Sequence, residues 1–159
     1  MRISQEIFPR VVALIVSISK EKKPNVMTVS FLMPLSFEPK YLAFSLSPKR
    51  YTFELLKKNP QFTFNICEKN LLEVAKICGS YSGKEKDKFE LVNITPEKST
   101  FIEAPSIKEC PISFECEREL MEKFGDHYLV IGKVLKEKVR KEKFSPLLHK
   151  SGDEFLEIK

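Results

Sequence analysis

Residues 25–37 read Asn25-Val26-Met27-Thr28-Val29-Ser30-Phe31-Leu32-Met33-Pro34-Leu35-Ser36-Phe37, and their alternation decides the fold class. Successive side chains of a strand point to opposite sides. Over 26–32, Thr28 and Ser30 therefore share one face, and Met27, Val29 and Phe31 the other. Upstream, 11–19 is a nearly unbroken β-branched and apolar run, expected as a buried strand, followed by a charged turn through Pro24. Downstream, Pro34 and Pro39 bracket an expected connection, 41–46 reads as a third strand, and Ser47-Pro48 ends it. Residues 51–58 set Phe53, Leu55 and Leu56 beside Glu54, Lys57 and Lys58, a short amphipathic helix stopped by Asn59-Pro60, and 61–66 returns as a strand.

Farther along, 71–77 reads as helical. Gly79 and Gly83, two of only five glycines, then enclose Ser80, Tyr81 and Ser82 in an expected loop whose backbone needs positive φ or close approach. A helical turn is expected at 87–91. Over 112–119, Ile112, Phe114 and Cys116 alternate with Ser113, Glu115, Glu117 and Glu119, a half-exposed strand with a solvated acidic stripe. Gly125-Asp126 suggests a turn, and 128–135 is apolar on both faces, as a central strand is. Many short strands with few helices imply a mainly β barrel or sandwich. The length of 159 residues, with no repeat or linker, argues for a single domain over 1–159.

Composition excludes several functions. The formal charge of +5 arises from 27 basic and 22 acidic side chains that interleave along the chain, so there is no basic nucleic-acid arm. No RNP-like aromatic motif is present either, and no nucleic-acid partner is expected. The continuous apolar run at 11–16 is far shorter than the ~20 residues that span a bilayer. Lys20 to Lys23 follow it with no small-residue cleavage site, so neither membrane insertion nor export is expected. Cys67, Cys78, Cys110 and Cys116 form no C-x-x-C and stand at no metal-ligand spacing from either histidine. Reduced thiols in the cytoplasm, with no metal, are the expectation.

Neither a G-x-G-x-x-G nor a P-loop occurs. The segment Ser47-Pro48-Lys49-Arg50-Tyr51-Thr52 is more informative, because Lys49 and Arg50 stand where a helix N-terminus is already positive. Either this is a solvated basic loop with Thr52 as the cap, or a phosphate resolves the conflict by accepting from helix N–H groups, hydroxyls and Arg50. Lys84, Lys86 and Lys88 likewise form either a solvated face or a second anion site. Asp126 and His127 are sequence neighbours, which argues against their being two members of a Ser-His-Asp relay.

Taken together, these segments resemble the flavin reductase-like family of FMN-binding split barrels, which includes flavoredoxins and ferric reductases. The resemblance rests on 25–37, on Leu42-Ala43-Phe44-Ser45-Leu46 running into Ser47-Pro48-Lys49-Arg50-Tyr51-Thr52, and on Cys78-Gly79-Ser80-Tyr81-Ser82-Gly83 followed by Asp87-Lys88-Phe89. Pro9-Arg10, Gly125-Asp126-His127 and Pro146-Leu147-Leu148-His149 are weaker echoes. It implies a Greek-key split β-barrel with a few short helices, binding FMN at a homodimer interface. In that resemblance Arg50 and Thr52 match the phosphate loop, Ser45, Leu46 and Ser47 approach the flavin, and Met27, Thr28, Val29 and Ser30 contact its ring. Ser82, Gly83, Lys88 and Phe89 match a second cofactor segment, and Asn25 opens the first. The implied activity is hydride transfer from NAD(P)H to flavin and onward transfer to ferric iron, free flavin or a redox protein, with His127 on the nicotinamide side. The alternative is a flavoredoxin-like carrier with tightly bound FMN and no direct NAD(P)H activity.

Overall fold

The computed structural model describes residues 1–158; Lys159, the last residue of the expected domain, lies outside the described residues. Seven antiparallel strands form the main sheet: β2 (Ala13–Ile18), β3 (Pro24–Val29), β4 (Leu32–Ser36), β5 (Tyr41–Leu46), β6 (Gln61–Ile66), β9 (Ile112–Phe124) and β10 (His127–Val139). Their spatial order is β3-β2-β6-β9-β10-β5-β4. Three-stranded and two-stranded sheets complete the strands: β1 (Arg10–Val11), β11 (Leu148–Ser151) and β12 (Glu154–Leu156) in one, β7 (Pro96–Glu97) and β8 (Ser106–Ile107) in the other. The short helices are α1 (Ile3–Glu6), α2 (Tyr51–Lys58), α3 (Leu72–Ser80) and α4 (Lys88–Leu91).

Met27 and Val29 on β3 belong to the same apolar cluster as Leu42, Phe44 and Leu46 on β5, although the two strands lie near opposite ends of the strand order. The sheet must therefore roll on itself, and the mainly β architecture is a split barrel. Ala13 and Ile15 of β2 enter this interior with Phe62, Phe64, Cys116 and Val130, and α2 closes it with Leu56. The alternate residues Leu14 and Val16 face outward into a second cluster with Val26, Ala75, Cys78, Ile107 and Leu147. Every residue of β2 is buried because both faces are covered, which explains its unbroken apolar run.

Two expectations need correction. The strand read over 26–32 stops at Val29, and an edge strand runs into the connection expected between Pro34 and Pro39: β4 pairs with β5 through Leu32↔Phe44 and Met33↔Ala43. Pro34 hid it, yet an edge position tolerates proline because a missing N–H there faces outward. The stripe at 113–119 is also not uniformly solvated. Ser113 and Glu115 are buried, and the Glu115 carboxylate accepts the amides of Thr100 and Phe101 at 2.7 and 2.8 Å. Glu117 and Glu119 are exposed as expected.

Gly132 on β10 is required by packing. A Cβ there would stand 2.5 Å from Cζ of the fully buried Phe62. We expect Gly132→Ala to destabilise the fold by about 1–3 kcal/mol through overpacking. An unchanged urea midpoint would contradict this account.

Candidate functional site

The site begins at the barrel's edge. β3 is the last strand of the sheet, so one side of its backbone has no strand partner, and α3 lies against it. Thr28 Oγ1 donates to the Ala75 carbonyl at 2.6 Å, pinning the helix to the strand. The helix runs through Gly79 and Ser80, which were expected in a loop, and presents its carbonyl end to the basic residues nearby. Arg50 Nη1 donates to Gly79 O at 2.9 Å, and the buried Lys88 Nζ donates to Cys78 O and Tyr81 O, both at 3.1 Å.

These contacts resolve the charge conflict read from the sequence. Arg50 is the residue preceding α2, where a cation is disfavoured, but its guanidinium reaches the negative end of α3, where a cation is favoured. Among the described residues one guanidinium N–H is committed to this bond, and the others are available to an anion. The Ser47 hydroxyl accepts from Lys49 N at 3.3 Å, which shapes the turn delivering Arg50.

Eight of the expected residues converge. Met27, Thr28, Val29, Ser30, Ser45, Leu46, Ser47 and Arg50 line one groove of about 130 Å³. The Leu46 side chain belongs to the barrel core, so it offers the groove its backbone. Thr28, Ser30 and Arg50 also wall an adjoining cleft of about 330 Å³, completed by Gly79, His149 and Phe155. Asn25, Gly83 and Lys88 instead line a separate depression of about 200 Å³ beside Tyr51.

The remaining assignments shift. Thr52 does not cap α2 with its side chain; it is buried, and its hydroxyl accepts from Asn25 Nδ2 at 3.0 Å. Ser82 Oγ accepts from Lys84 N at 3.3 Å, while Phe89 packs on the outer apolar cluster; neither lines these three hollows. The three lysines diverge: Lys84 pairs with Glu54, Lys86 covers the Tyr81 ring at 4.6 Å, and Lys88 turns inward. Gly79 and Gly83 have no positive φ, but Gly83 is a site of close approach, since a Cβ there would stand 1.9 Å from Asn25 Oδ1. That Asn25 oxygen is buried and has no hydrogen-bond partner among the described residues. Leaving such an acceptor bare costs about 1–3 kcal/mol, so a ligand N–H or O–H delivered here is favoured.

His127 opens β10 at the groove's rim. Its ring centroid is 6.1 Å from that of Phe31, which itself lines the groove. Asp126 turns back to meet it, with Nδ1 and Oδ1 2.8 Å apart. This hydrogen bond and the adjoining imidazole charge hold the Asp126 carboxyl below its usual range. His149 received no role from the sequence, yet it lines the larger cleft, with Nδ1 2.7 Å from Ser30 Oγ. Arg10, opposite His149 in the β1/β11 register, lies over the Phe31 ring at 5.3 Å. The echoes at Pro9-Arg10 and 146–149 were the available signal, but strand pairing between the two ends of the chain joins them. Among the described residues no group of three or more His, Cys, Asp and Glu side chains could hold a metal ion.

Residues 4–155 match the family model described as a flavin reductase like domain. An uncharacterized protein of Archaeoglobus fulgidus is 36% identical over 118 residues, covering 74% of this chain and 67% of that protein. A flavin reductase of Pseudomonas putida is 24% identical over 91% of this chain and 82% of its own. Among solved structures, nitrilotriacetate monooxygenase component B from Bacillus cereus superposes with a TM-score of 0.89 at 21% identity, covering 99% of this chain and 88% of its own. Flavoredoxin of Desulfovibrio vulgaris superposes with a TM-score of 0.86 at 22% identity, over 96% of this chain and 88% of its own.

Burial pulls the Lys88 ammonium from its ordinary 10.5 down to about 8; Cys78 opposes the shift and the Arg50 charge adds to it. Between these values the unfolded chain binds more protons than the folded one, so this group makes stability rise with pH. The penalty on charged Lys88 is fully present below pH 8 and relieved by 10.5. The urea-midpoint difference between the wild type and Lys88→Met should therefore move in favour of the wild type across that window. A constant difference, or the opposite drift, would count against it.

Proposed function

The chain belongs to the flavin reductase-like family, and from that premise we propose that it binds FMN and acts as an NAD(P)H-dependent flavin reductase or ferric reductase-like oxidoreductase. The observation carrying this reading is the convergence of eight expected residues on one groove at an unpaired strand edge. Relatives of known name include a flavin reductase and an FMN-binding protein, which favours a flavin mononucleotide here.

The residues fit such a ligand. Arg50 would hold the phosphate with the guanidinium N–H groups it does not spend on Gly79, a charge-assisted contact that suits an oxyanion. Ser45, Ser47 and the free backbone edge at Met27–Ser30 would meet the ring and sugar chain, whose polar edge needs both donors and acceptors. Asn25 Oδ1 is without a donor among the described residues, and it fills the place that a side chain at position 83 would take, which is why Gly83 can lie against it. When bound, the flavin supplies a two-electron centre able to pass electrons singly or in pairs. His127, held by Asp126 at the rim, would orient the nicotinamide while Phe31 shields the groove's floor from water. Ferric iron, free flavin or a redox protein would take the electrons.

We also propose a homodimer. Met33 and Leu35 on the edge strand β4, and Phe37 just after it, are 47%, 44% and 96% exposed. They flank an apolar hollow of about 580 Å³ lined by Leu42, Phe64, Phe114 and Val134. A second copy pairing on this edge would cover both and would sit next to the Ser30–Phe31 bend of the flavin groove. Four free, buried cysteines suit a reducing cytoplasm, and no described helix is long and apolar enough to cross a membrane.

Purified protein supplied with FMN should turn yellow and bleach anaerobically with NADH or NADPH; failure with both nucleotides defeats the reductase reading. Arg50→Ala should weaken FMN roughly 10- to 100-fold, as a lost charge-assisted bond does, and leave riboflavin nearly unaffected. Equal losses would move the phosphate elsewhere. In sedimentation, Met33→Glu combined with Phe37→Glu should convert a dimer to a monomer, and a wild type that is already monomeric removes the dimer proposal.

A further inference from the structure

His149 has partners whose chemistry determines where its protons sit. Nε2 lies 2.9 Å from the Gly152 carbonyl oxygen, which can only accept, so Nε2 carries a hydrogen. Nδ1 lies 2.7 Å from Ser30 Oγ and 3.5 Å from an Arg10 guanidinium nitrogen. The nearby guanidinium charge disfavours a second proton on the ring, so Nδ1 presents its lone pair, and the Ser30 hydroxyl, the nearer partner, spends its one proton there. The ring is held from the side as well, tilted by 41° against Phe155 at 4.7 Å between centroids. Arg10 is fixed in turn by the carbonyls of Ser4, Ile7 and Lys150.

The consequence falls on the ligand site, because Ser30 lines both the 130 Å³ groove and the 330 Å³ cleft. We propose that His149 is a positioning residue that commits the Ser30 proton, so that Ser30 meets a ligand as a hydrogen-bond acceptor only and the site selects a ligand edge carrying N–H at that point. The neighbouring Thr28 hydroxyl is committed in the same sense, donating to Ala75 O. Two hydroxyls at the groove thus face it with lone pairs. Identifying the ligand as a flavin rests on the function proposed above; the proton arrangement does not. A flavin edge offers N3–H in both redox states and N5–H only when reduced, so an acceptor-only Ser30 discriminates either against N3 methylation or against the oxidised form.

The test uses the whole protein. In the ligand-free state, nitrogen-15 spectra of the imidazole should place the neutral-form proton of His149 on Nε2, and Ser30→Ala should move the Nδ1 resonance. With ligand, dissociation constants for oxidised FMN, reduced FMN and N3-methylated FMN are compared among the wild type, His149→Phe and His149→Asn. Phenylalanine keeps a ring against Phe155 but frees the Ser30 proton, whereas asparagine retains an acceptor near the Nδ1 position. His149→Phe should erase one of the two discriminations by roughly 3- to 10-fold, the range of a single hydrogen bond, and His149→Asn should keep most of it. Purely structural damage would weaken all three ligands by the same factor. An Nδ1 resonance indifferent to Ser30→Ala, or equal discrimination in all three proteins, overturns the proposal. Failure to bind any FMN would remove the flavin reading, while the ligand-free spectra would still decide the proton arrangement.

Discussion

Strand β2 has no exposed side chain, so the fold must supply an apolar layer to each of its faces. The inner face is covered by rolling the sheet until β3 and β5 share one cluster, and the outer face by seating α3 with Leu147 and Ile107. Burying each Val, Leu or Ile in this way is worth about 1.5–3 kcal/mol, so neither layer is optional. The candidate site is a by-product of this two-sided requirement. The helix that covers the outer face must end somewhere, and its carbonyl end falls beside the unpaired edge of β3.

Electrostatics then follows from where helices stop. The negative end of α3 draws Arg50 across the gap and draws Lys88 inward, despite the desolvation that pulls its ammonium down. Arg50 is stable at the start of α2 because part of its charge is met by the Gly79 carbonyl at the end of another helix. An anion arriving at the groove would find a guanidinium already oriented, with little side-chain freedom left to lose. The bare Asn25 oxygen belongs to the same economy of space: Gly83 comes so near that protein side chains are kept away from it.

The ends of the chain close the site. Arg10 and His149 are partners in the β1/β11 register, and Val12 N bonds to Leu147 O at 3.1 Å, so the last strands are held against the first. This closure converts the Ser30 hydroxyl from an available donor into a committed one. Hydroxyl polarity in a pocket is thus a property of the second residue, since a serine has one proton and serves whichever acceptor is nearer and better held.

By itself the sequence determined the elements whose signal repeats locally: the period-two strands, the amphipathic 51–58 helix, and the order of segments that marks the flavin reductase-like family. Through the family resemblance it also named the residues from Met27 to Arg50 that line one groove. It missed β4, where Pro34 imitates a connection, and it ended the 71–77 helix before Gly79. Only the tertiary structure decided that Arg50 faces a helix terminus, that Thr52 is buried under Asn25, and that Ser30 meets a histidine 119 residues away. The physical reason is that periodicity is written into adjacent residues. A hydrogen-bond partner is chosen by proximity in space, which the folding of distant segments creates.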